Sequence, residues 1–250
     1  MKKGLVIFCF AVSMLFLTGG CETAGQLYRS GLRYAGVGNY PEAMKCYREA
    51  AERGHVKARI ELARRYHDGG GVAKDYAESV KWYRKAAEQE CPDAWYALGL
   101  LYQKGEGVAK DLAEAAKCFR KAADLGDLRS LYALGNCYRD GKGVEKDPAE
   151  AAKWYRKAAE KGNADAGYDL CLLYRNGQGV EKDPAEAAKW CRKAAERGHC
   201  LAQYDLGLFY CNGEGVAKDL TEGSYWLCKA AKQGYRPARE MCRKLNIKWE

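Results

Sequence analysis

The hydrophobic positions of this chain follow two periods, that of an α-helix and a longer one of 36 residues. A small residue recurs at the longer period and serves as repeat position 1 of each unit: Ala58, Ala94, Ser130, Ala166, Ala202 and Ala238. Positions 1, 5, 8 and 9 lie on one side of a helix that turns by about 100° per residue. The first dozen residues of each unit are therefore predicted to form an amphipathic helix, helix A.

Three further positions characterise helix A. Leu recurs at position 5 and Tyr at position 9. Position 6 is always small: Ala63, Gly99, Gly135, Cys171 and Gly207. A small residue on this side lets a neighbouring helix approach closely, so position 6 is predicted to face a second helix.

A glycine-rich stretch of the form G-x-G-V follows helix A in every unit. Glycine supplies the positive φ that a tight reversal needs, and the valine is predicted to pack back into the core. Next comes an aspartate with a glutamate three residues later, at capping-box spacing: Asp75, Asp111, Asp147, Asp183 and Asp219. These aspartates are predicted to be the N-caps of a second helix, helix B, which carries a recurrent Trp.

A single helical hairpin of this size can bury its apolar face only against the next one, so such units stack. The sequence therefore predicts an all-α fold, an α/α superhelical solenoid of helix hairpins. The predicted units are 58–93, 94–129, 130–165, 166–201 and 202–237, followed by a capping helix in 238–250. A composition of 48% hydrophobic and 30% charged residues suits a globular helical protein and excludes a disordered chain.

The first twenty residues have a different character. Lys2 and Lys3 precede an apolar run at 4–17, which is too short to span a bilayer and is typical of a secretory signal. The small residues that follow end at Cys21, a pattern similar to a bacterial lipobox. We expect 1–20 to be a signal peptide and Cys21 to be lipidated and to tether the chain. Cleavage by an ordinary signal peptidase is the alternative, because Thr18 stands where an aliphatic residue is preferred.

The motifs L-G-x-x-Y, G-x-G-V-x-x-D and A-x-x-W-Y-x-x-A-A at this period resemble the Sel-one-like repeat (SLR) family over 58–237. Residues 24–57 resemble a 34-residue tetratricopeptide hairpin through the separations of Gly31, Tyr34, Ala43, Tyr47 and Ala50, and the G-x-G-V insertion is absent there. The resemblance implies stacked hairpins of the tetratricopeptide type. It also implies that helices A line a concave groove that binds a protein or peptide.

Ten cysteines remain when Cys9 and Cys21 are set aside. In an exported chain, disulfides are their expected state. The spacing allows three pairs: Cys118 with Cys137, Cys228 with Cys242, and Cys171 with Cys191. Buried free thiols are the alternative. The cysteine-rich secreted branch of the SLR family uses a Cys-x7-Cys spacing that this chain lacks, so the resemblance assigns no pairing.

No sequence motif for catalysis or for a cofactor stands out. The chain contains no S-x-x-K, K-T-G, G-x-S-x-G or P-loop pattern. No Cys-x2-Cys occurs, and the three histidines form no ligand cluster, so no metal is expected. The chain is therefore expected not to be an enzyme. The alternative is a β-lactam-binding or β-lactamase-like activity, which the cysteine-rich branch implies and no motif supports.

Positions 3, 7, 10 and 11 of helix A lie opposite the apolar stripe, on the face that the resemblance assigns to the groove. Tyrosine recurs at position 3, with arginine and asparagine beside it, a composition typical of protein recognition surfaces. The predicted partner-binding residues are Tyr96, Tyr132, Tyr168, Tyr204, Arg64, Asn136, Arg139 and Arg175. The alternative for the tyrosines is that they fill space between successive helices A.

The net charge of +9 is spread along the chain and not concentrated in a patch, so no nucleic-acid partner is expected. Helix B carries a recurrent basic trio, as in Lys153, Arg156 and Lys157, which is expected to be solvated surface. A surface that lies against an anionic envelope polymer or lipid is the alternative. We expect a monomer in the periplasm or at the outer membrane, with a protein or peptide ligand there; free secretion is less favoured.

Overall fold

A computed structural model describes residues 22–248, and in this range it contains thirteen α-helices and no strand. The expected signal peptide and Cys21 lie outside the described residues. The predicted all-α fold of stacked helix hairpins is confirmed, because successive helices pack against one another within each of the two compact units described below. None of these helices is long and apolar enough to cross a membrane. The chain divides into two compact units at residues 89 and 90.

Unit 1 contains two helical hairpins. The helices are α1 (Ala24–Gly36), α2 (Tyr40–Glu52), α3 (Val56–Asp68) and α4 (Tyr76–Ala87). Helices α1 and α3 are of the A type. Their core contains the position 5 leucine, Leu62, which is fully buried, and Trp82 of helix B.

Unit 2 contains four hairpins and a final helix. Its A helices are α5 (Pro92–Lys104), α7 (Leu128–Asp140), α9 (Ala164–Asn176), α11 (Cys200–Asn212) and α13 (Arg236–Lys244). Its B helices are α6 (Leu112–Asp124), α8 (Pro148–Glu160), α10 (Pro184–Glu196) and α12 (Leu220–Lys232). One apolar core runs along α6 to α12 and contains the position 5 leucines and the tryptophans of helix B.

The contact between helices A and B depends on the small residue at position 6. A Cβ atom added to Gly135 would lie 2.5 Å from the ring of Tyr155, and one added to Gly99 would lie 2.5 Å from the ring of Phe119. Real Cβ atoms do not approach this closely, so glycine makes room for the ring at position 26 of helix B. The prediction that a second helix comes close at position 6 is confirmed.

The predicted N-caps are also confirmed, because each aspartate before helix B accepts a hydrogen bond from the backbone N–H of the glutamate three residues on. In a complete capping box the glutamate side chain would also accept the backbone N–H of the aspartate, and at Asp147 that N–H has a different acceptor. The backbone N–H of Asp147 donates to the carbonyl of Tyr138 at 2.9 Å. Glu150 instead pairs with Lys153 at 2.8 Å. The recurrent lysine therefore competes with the cap for the glutamate.

Apart from α1, which begins at the predicted residue 24, each helix A begins two residues before the predicted start of its unit, at residues 56, 92, 128, 164, 200 and 236. The side chains of His55, Asp127, Asn163 and His199 cap four of these helices by accepting the N–H of position 1. The apolar stripe starts only at position 1, so the pattern does not show the first helical turn. The last helix, α13, spans Arg236–Lys244, which is shorter than the predicted 238–250.

Candidate functional site

The position 3 tyrosines of unit 2 lie half-buried on the face formed by its A helices, which we call the A-helix face. Each ring contacts another: Tyr96 with Phe119, Tyr132 with Tyr155, Tyr168 with His199, and Tyr204 with Tyr235. The centroid separations run from 4.6 Å for Tyr168 and His199 to 5.8 Å for Tyr96 and Phe119. These tyrosines therefore pack between helices and also form part of an accessible face.

Two successive A-helix interfaces carry the same three polar side chains, which we call Tyr–Arg–Asp triads. Their members are Tyr132, Arg139 and Asp169 between α7 and α9, and Tyr168, Arg175 and Asp205 between α9 and α11. The two triads are 36 residues apart, at positions 3 and 10 of one unit and position 4 of the next. They lock adjacent A helices in register.

The carboxylate is the acceptor in each triad. Asp205 accepts from the Tyr168 hydroxyl at 3.0 Å and from Arg175 at 3.1 Å. Asp169 lies 3.4 Å from a guanidinium nitrogen of Arg139 and interacts with the Tyr132 hydroxyl. Burial and the facing Asp169 charge raise the pKa of Tyr132 to about 12. The tyrosines therefore remain protonated donors at neutral pH.

The interface between α5 and α7 has no triad and contains an open pocket of about 460 Å³, which we call the α5/α7 pocket. Aromatic, amide and basic side chains line it. Four predicted partner-binding residues are among them: Tyr96, Tyr132, Asn136 and Arg139. The side chains of Leu100, Gln103, Arg129 and Ala133 complete this part of the wall. The amide of Asn136 is held in place because its oxygen accepts the Tyr155 hydroxyl at 2.7 Å.

Charges at the rim of the pocket are paired. The guanidinium of Arg129 lies over the Tyr96 ring, 4.4 Å from its centroid, and bonds to Asp127 at 2.8 Å and to Asp93. Asp140 accepts from Arg139 at 2.8 Å and from Lys142. Hydrogen bonding from Arg139 lowers the pKa of Asp140 to about 2. The pocket is therefore polar but has no strong excess of one charge.

The other predicted partner-binding residues lie elsewhere. Tyr168 and Arg175 belong to the second triad, and Tyr204 packs against Tyr235 beside the last helix. Arg64 belongs to unit 1, where it pairs with Glu61 at 2.9 Å. The sequence reading missed Arg129, Asp169 and Asp205, because none of them recurs in every unit and a repeat pattern reveals only what is repeated.

All ten described cysteines are free thiols in the structure. Cys171 and Cys191 are nevertheless fully buried neighbours whose thiols interact, and the hydrogen bond with Cys171 together with burial raises the pKa of Cys191. The thiols of Cys228 and Cys242 interact similarly. The third predicted pair, Cys118 and Cys137, is buried as well, and burial raises the pKa of Cys137 to about 11. The predicted disulfides stay predictions.

The described residues contain no group of three or more His, Cys, Asp or Glu side chains that could hold a metal ion. Three of the four serines in this range are buried or hydrogen-bonded within the fold. Ser79 is fully buried, Ser130 donates to Asp127 at 2.6 Å, and Ser224 donates to the backbone of its own helix. None of these three hydroxyls is activated by a neighbouring histidine or lysine.

Comparison with known proteins identifies the repeat. The family model of the Sel1 repeat matches residues 21–55, 56–91, 92–127, 128–163, 164–199 and 200–235. It thus also matches the first hairpin, which the sequence reading took as tetratricopeptide-like, and it places the later repeats two residues earlier than predicted. No curated protein matches the chain.

Solved structures of Sel1 repeat proteins have a similar fold. The crystal structure of c5321, a protective antigen present in uropathogenic Escherichia coli strains displaying an SLR fold, is 37% identical with a TM-score of 0.84. That match covers 91% of this chain but only 50% of c5321, so this chain spans half the length of that protein. The Sel1 repeat protein from Oxalobacter formigenes is 34% identical over 85% of this chain and 84% of its own, with a TM-score of 0.72. The chain belongs to the Sel1 repeat family.

Proposed function

We propose that this chain is an exported, monomeric, non-enzymatic scaffold that binds a protein or peptide of the cell envelope through the α5/α7 pocket on its A-helix face. The Sel1 repeat family is generally one of non-catalytic scaffolds that bind proteins. The pocket supports the proposal, because half-buried tyrosines, an arginine stacked on an aromatic ring and the fixed amide of Asn136 are typical of protein recognition sites.

A capture experiment with paired variants tests the proposal. Leu100 lines the pocket, and Leu172 occupies the same repeat position in α9 outside it. Wild-type protein and the Leu172→Lys variant are expected to retain the same partner from an envelope extract, while Leu100→Lys loses it. Circular dichroism checks that both variants are equally helical. Equal capture by all three proteins would rule out the pocket.

The alternative β-lactamase-like activity has no supporting observation among the described residues, and we do not propose it. Purified protein at high concentration is expected to leave a chromogenic β-lactam intact. Hydrolysis above the rate of a heat-denatured sample would overturn the non-enzymatic part of the proposal.

Export and lipid anchoring at Cys21 rest on the basic start, the apolar run and the small residues before the cysteine. Cells grown with radiolabelled palmitate are expected to label the wild-type chain and not a Cys21→Ser variant. Labelling of both would exclude Cys21 as the anchor.

A further inference from the structure

The α5/α7 interface differs from the next two A-helix interfaces at two of the three triad positions. Where the triads have tyrosine, arginine and aspartate, this interface has Tyr96, Gln103 and Ala133. The tyrosine is thus retained, a neutral amide replaces the guanidinium, and a methyl group replaces the carboxylate. All three residues line the α5/α7 pocket.

The missing carboxylate leaves a donor without its acceptor. Within the described residues the hydroxyl of Tyr96 has no hydrogen-bond partner, whereas the hydroxyl of Tyr168 donates to Asp205 at 3.0 Å. The ring of Tyr96 is held in position by its contacts with Arg129 and Phe119. The place beside Ala133 is therefore preorganised and accessible, because the pocket opens to solvent there.

We infer that the α5/α7 pocket binds a carboxylate of a partner protein, an Asp or Glu side chain, in the place that Asp169 and Asp205 occupy in the two following interfaces. The inference rests on the proposed function and specifies the chemistry of the partner. The donors are the hydroxyl of Tyr96 and the side-chain amide of Gln103.

The charges around the pocket are already paired. Its three cations, Arg129, Arg139 and Lys142, each bond to a carboxylate of the protein, so the inference depends on the neutral donors of Tyr96 and Gln103. The acidic lining residue Asp140 is already bonded to two of them, while Asp165 lies 3.5 Å from the imidazole of His199. The repeat itself selects a carboxylate over other anions, because a carboxylate fills the equivalent place twice in this chain.

The test is a titration followed by NMR of the 15N-labelled protein. The probes are an acetyl-Gly-Glu-Gly-amide peptide, its Gln counterpart and sodium acetate. The Glu peptide is expected to shift the side-chain amide of Gln103 and the backbone amide of Ala133 saturably, and the Gln peptide to bind at least tenfold more weakly. Acetate at higher concentration is expected to shift the same signals, since it carries the same group without a chain. Equal binding of the Glu and Gln peptides, or shifts confined to other residues, would overturn the inference.

A variant that supplies the missing carboxylate internally provides the second arm. Ala133→Asp is expected to place a carboxylate that accepts from the Tyr96 hydroxyl, and so to weaken binding of the Glu peptide at least tenfold. Ala149→Asp adds the same charge at an exposed position of α8 and is expected to bind like wild type. Unchanged binding by Ala133→Asp would overturn the inference.

Partner capture separates failure of this inference from failure of the proposed function. If the partner uses the pocket without a carboxylate, Leu100→Lys abolishes capture and Ala133→Asp preserves it. This result would overturn the inference and leave the proposed function standing. If neither variant changes capture, the proposed function fails as well.

Discussion

Cys171 and Cys191 occupy positions 6 and 26 of their unit, where the two preceding units pair a glycine with an aromatic ring. Two medium-sized side chains here fill the space that glycine and phenylalanine fill in α5 and α6. The double variant Cys171→Gly/Cys191→Phe should therefore pack well, although each single change should not. Leu172 follows Cys171 as Leu100 follows Gly99, so the surroundings of the new ring are matched too.

The magnitudes follow from burial, since both cysteines are 0% exposed. Cys171→Gly should cost about 1 kcal/mol for a glycine inside a helix and a further ~1–2 kcal/mol for the cavity. Cys191→Phe should cost about 1–3 kcal/mol, because the ring meets the Cys171 side chain. In the double variant most of the lost free energy of unfolding should be regained, with a coupling free energy of about 2–3 kcal/mol between the two positions.

Urea denaturation followed by circular dichroism measures the four free energies of unfolding, in the presence of a reductant so that no disulfide contributes. Equal m-values would show that the variants unfold from the same native fold. If the double variant is destabilised by the sum of the single effects, the two positions do not share one packing space and the reasoning is refuted.

Two further predictions concern single residues of the repeat. Gly135→Ala should destabilise the protein by about 1–3 kcal/mol, because the new Cβ meets the Tyr155 ring. Gly167→Ala should stabilise it by up to about 1 kcal/mol, because there the nearest atom is 3.4 Å away; urea denaturation of both variants measures the contrast, and the same sign for both would contradict it. His199 caps α11 through its unprotonated Nδ1, and burial lowers its pKa. Because the unfolded chain then binds the proton more tightly, stability should fall as the pH drops below the ordinary histidine pKa of about 6.5. His199→Asn copies the cap of Asn163 and should reduce the fall in melting temperature between pH 7 and 5, while His55, which caps α3 in the same way, contributes the remainder; an equal fall in wild type and variant would contradict this role.

The helices were predictable because each depends on residues that recur. The position 5 leucines, the glycines after helix A and the aspartate caps act through interactions within one hairpin, so the local sequence is enough to predict them. Positions 6 and 26 are separated in sequence, but their complementary sizes could be found by comparing units. The first turn of each helix A was missed because its caps vary among His, Asp, Asn, Cys and Tyr.

The candidate site was only partly predictable. The face of the position 3 tyrosines follows from helical geometry, and four of the predicted residues do line one pocket. The position of the pocket within that face depends on side chains that depart from the repeat. Neither Gln103 nor Ala133 indicates a binding site when its sequence position is considered alone. Their role emerges only when they are compared with the residues that form the triads of the next two interfaces.

The most direct test of the account is photo-crosslinking in living cells with p-benzoylphenylalanine placed at the position of Lys142, an exposed residue at the rim of the α5/α7 pocket. The same probe at the position of Lys153, exposed on α8, serves as the control. The account predicts one discrete crosslinked envelope protein from the pocket position and none from the control. No crosslink from the pocket, or the same product from both positions, would contradict it.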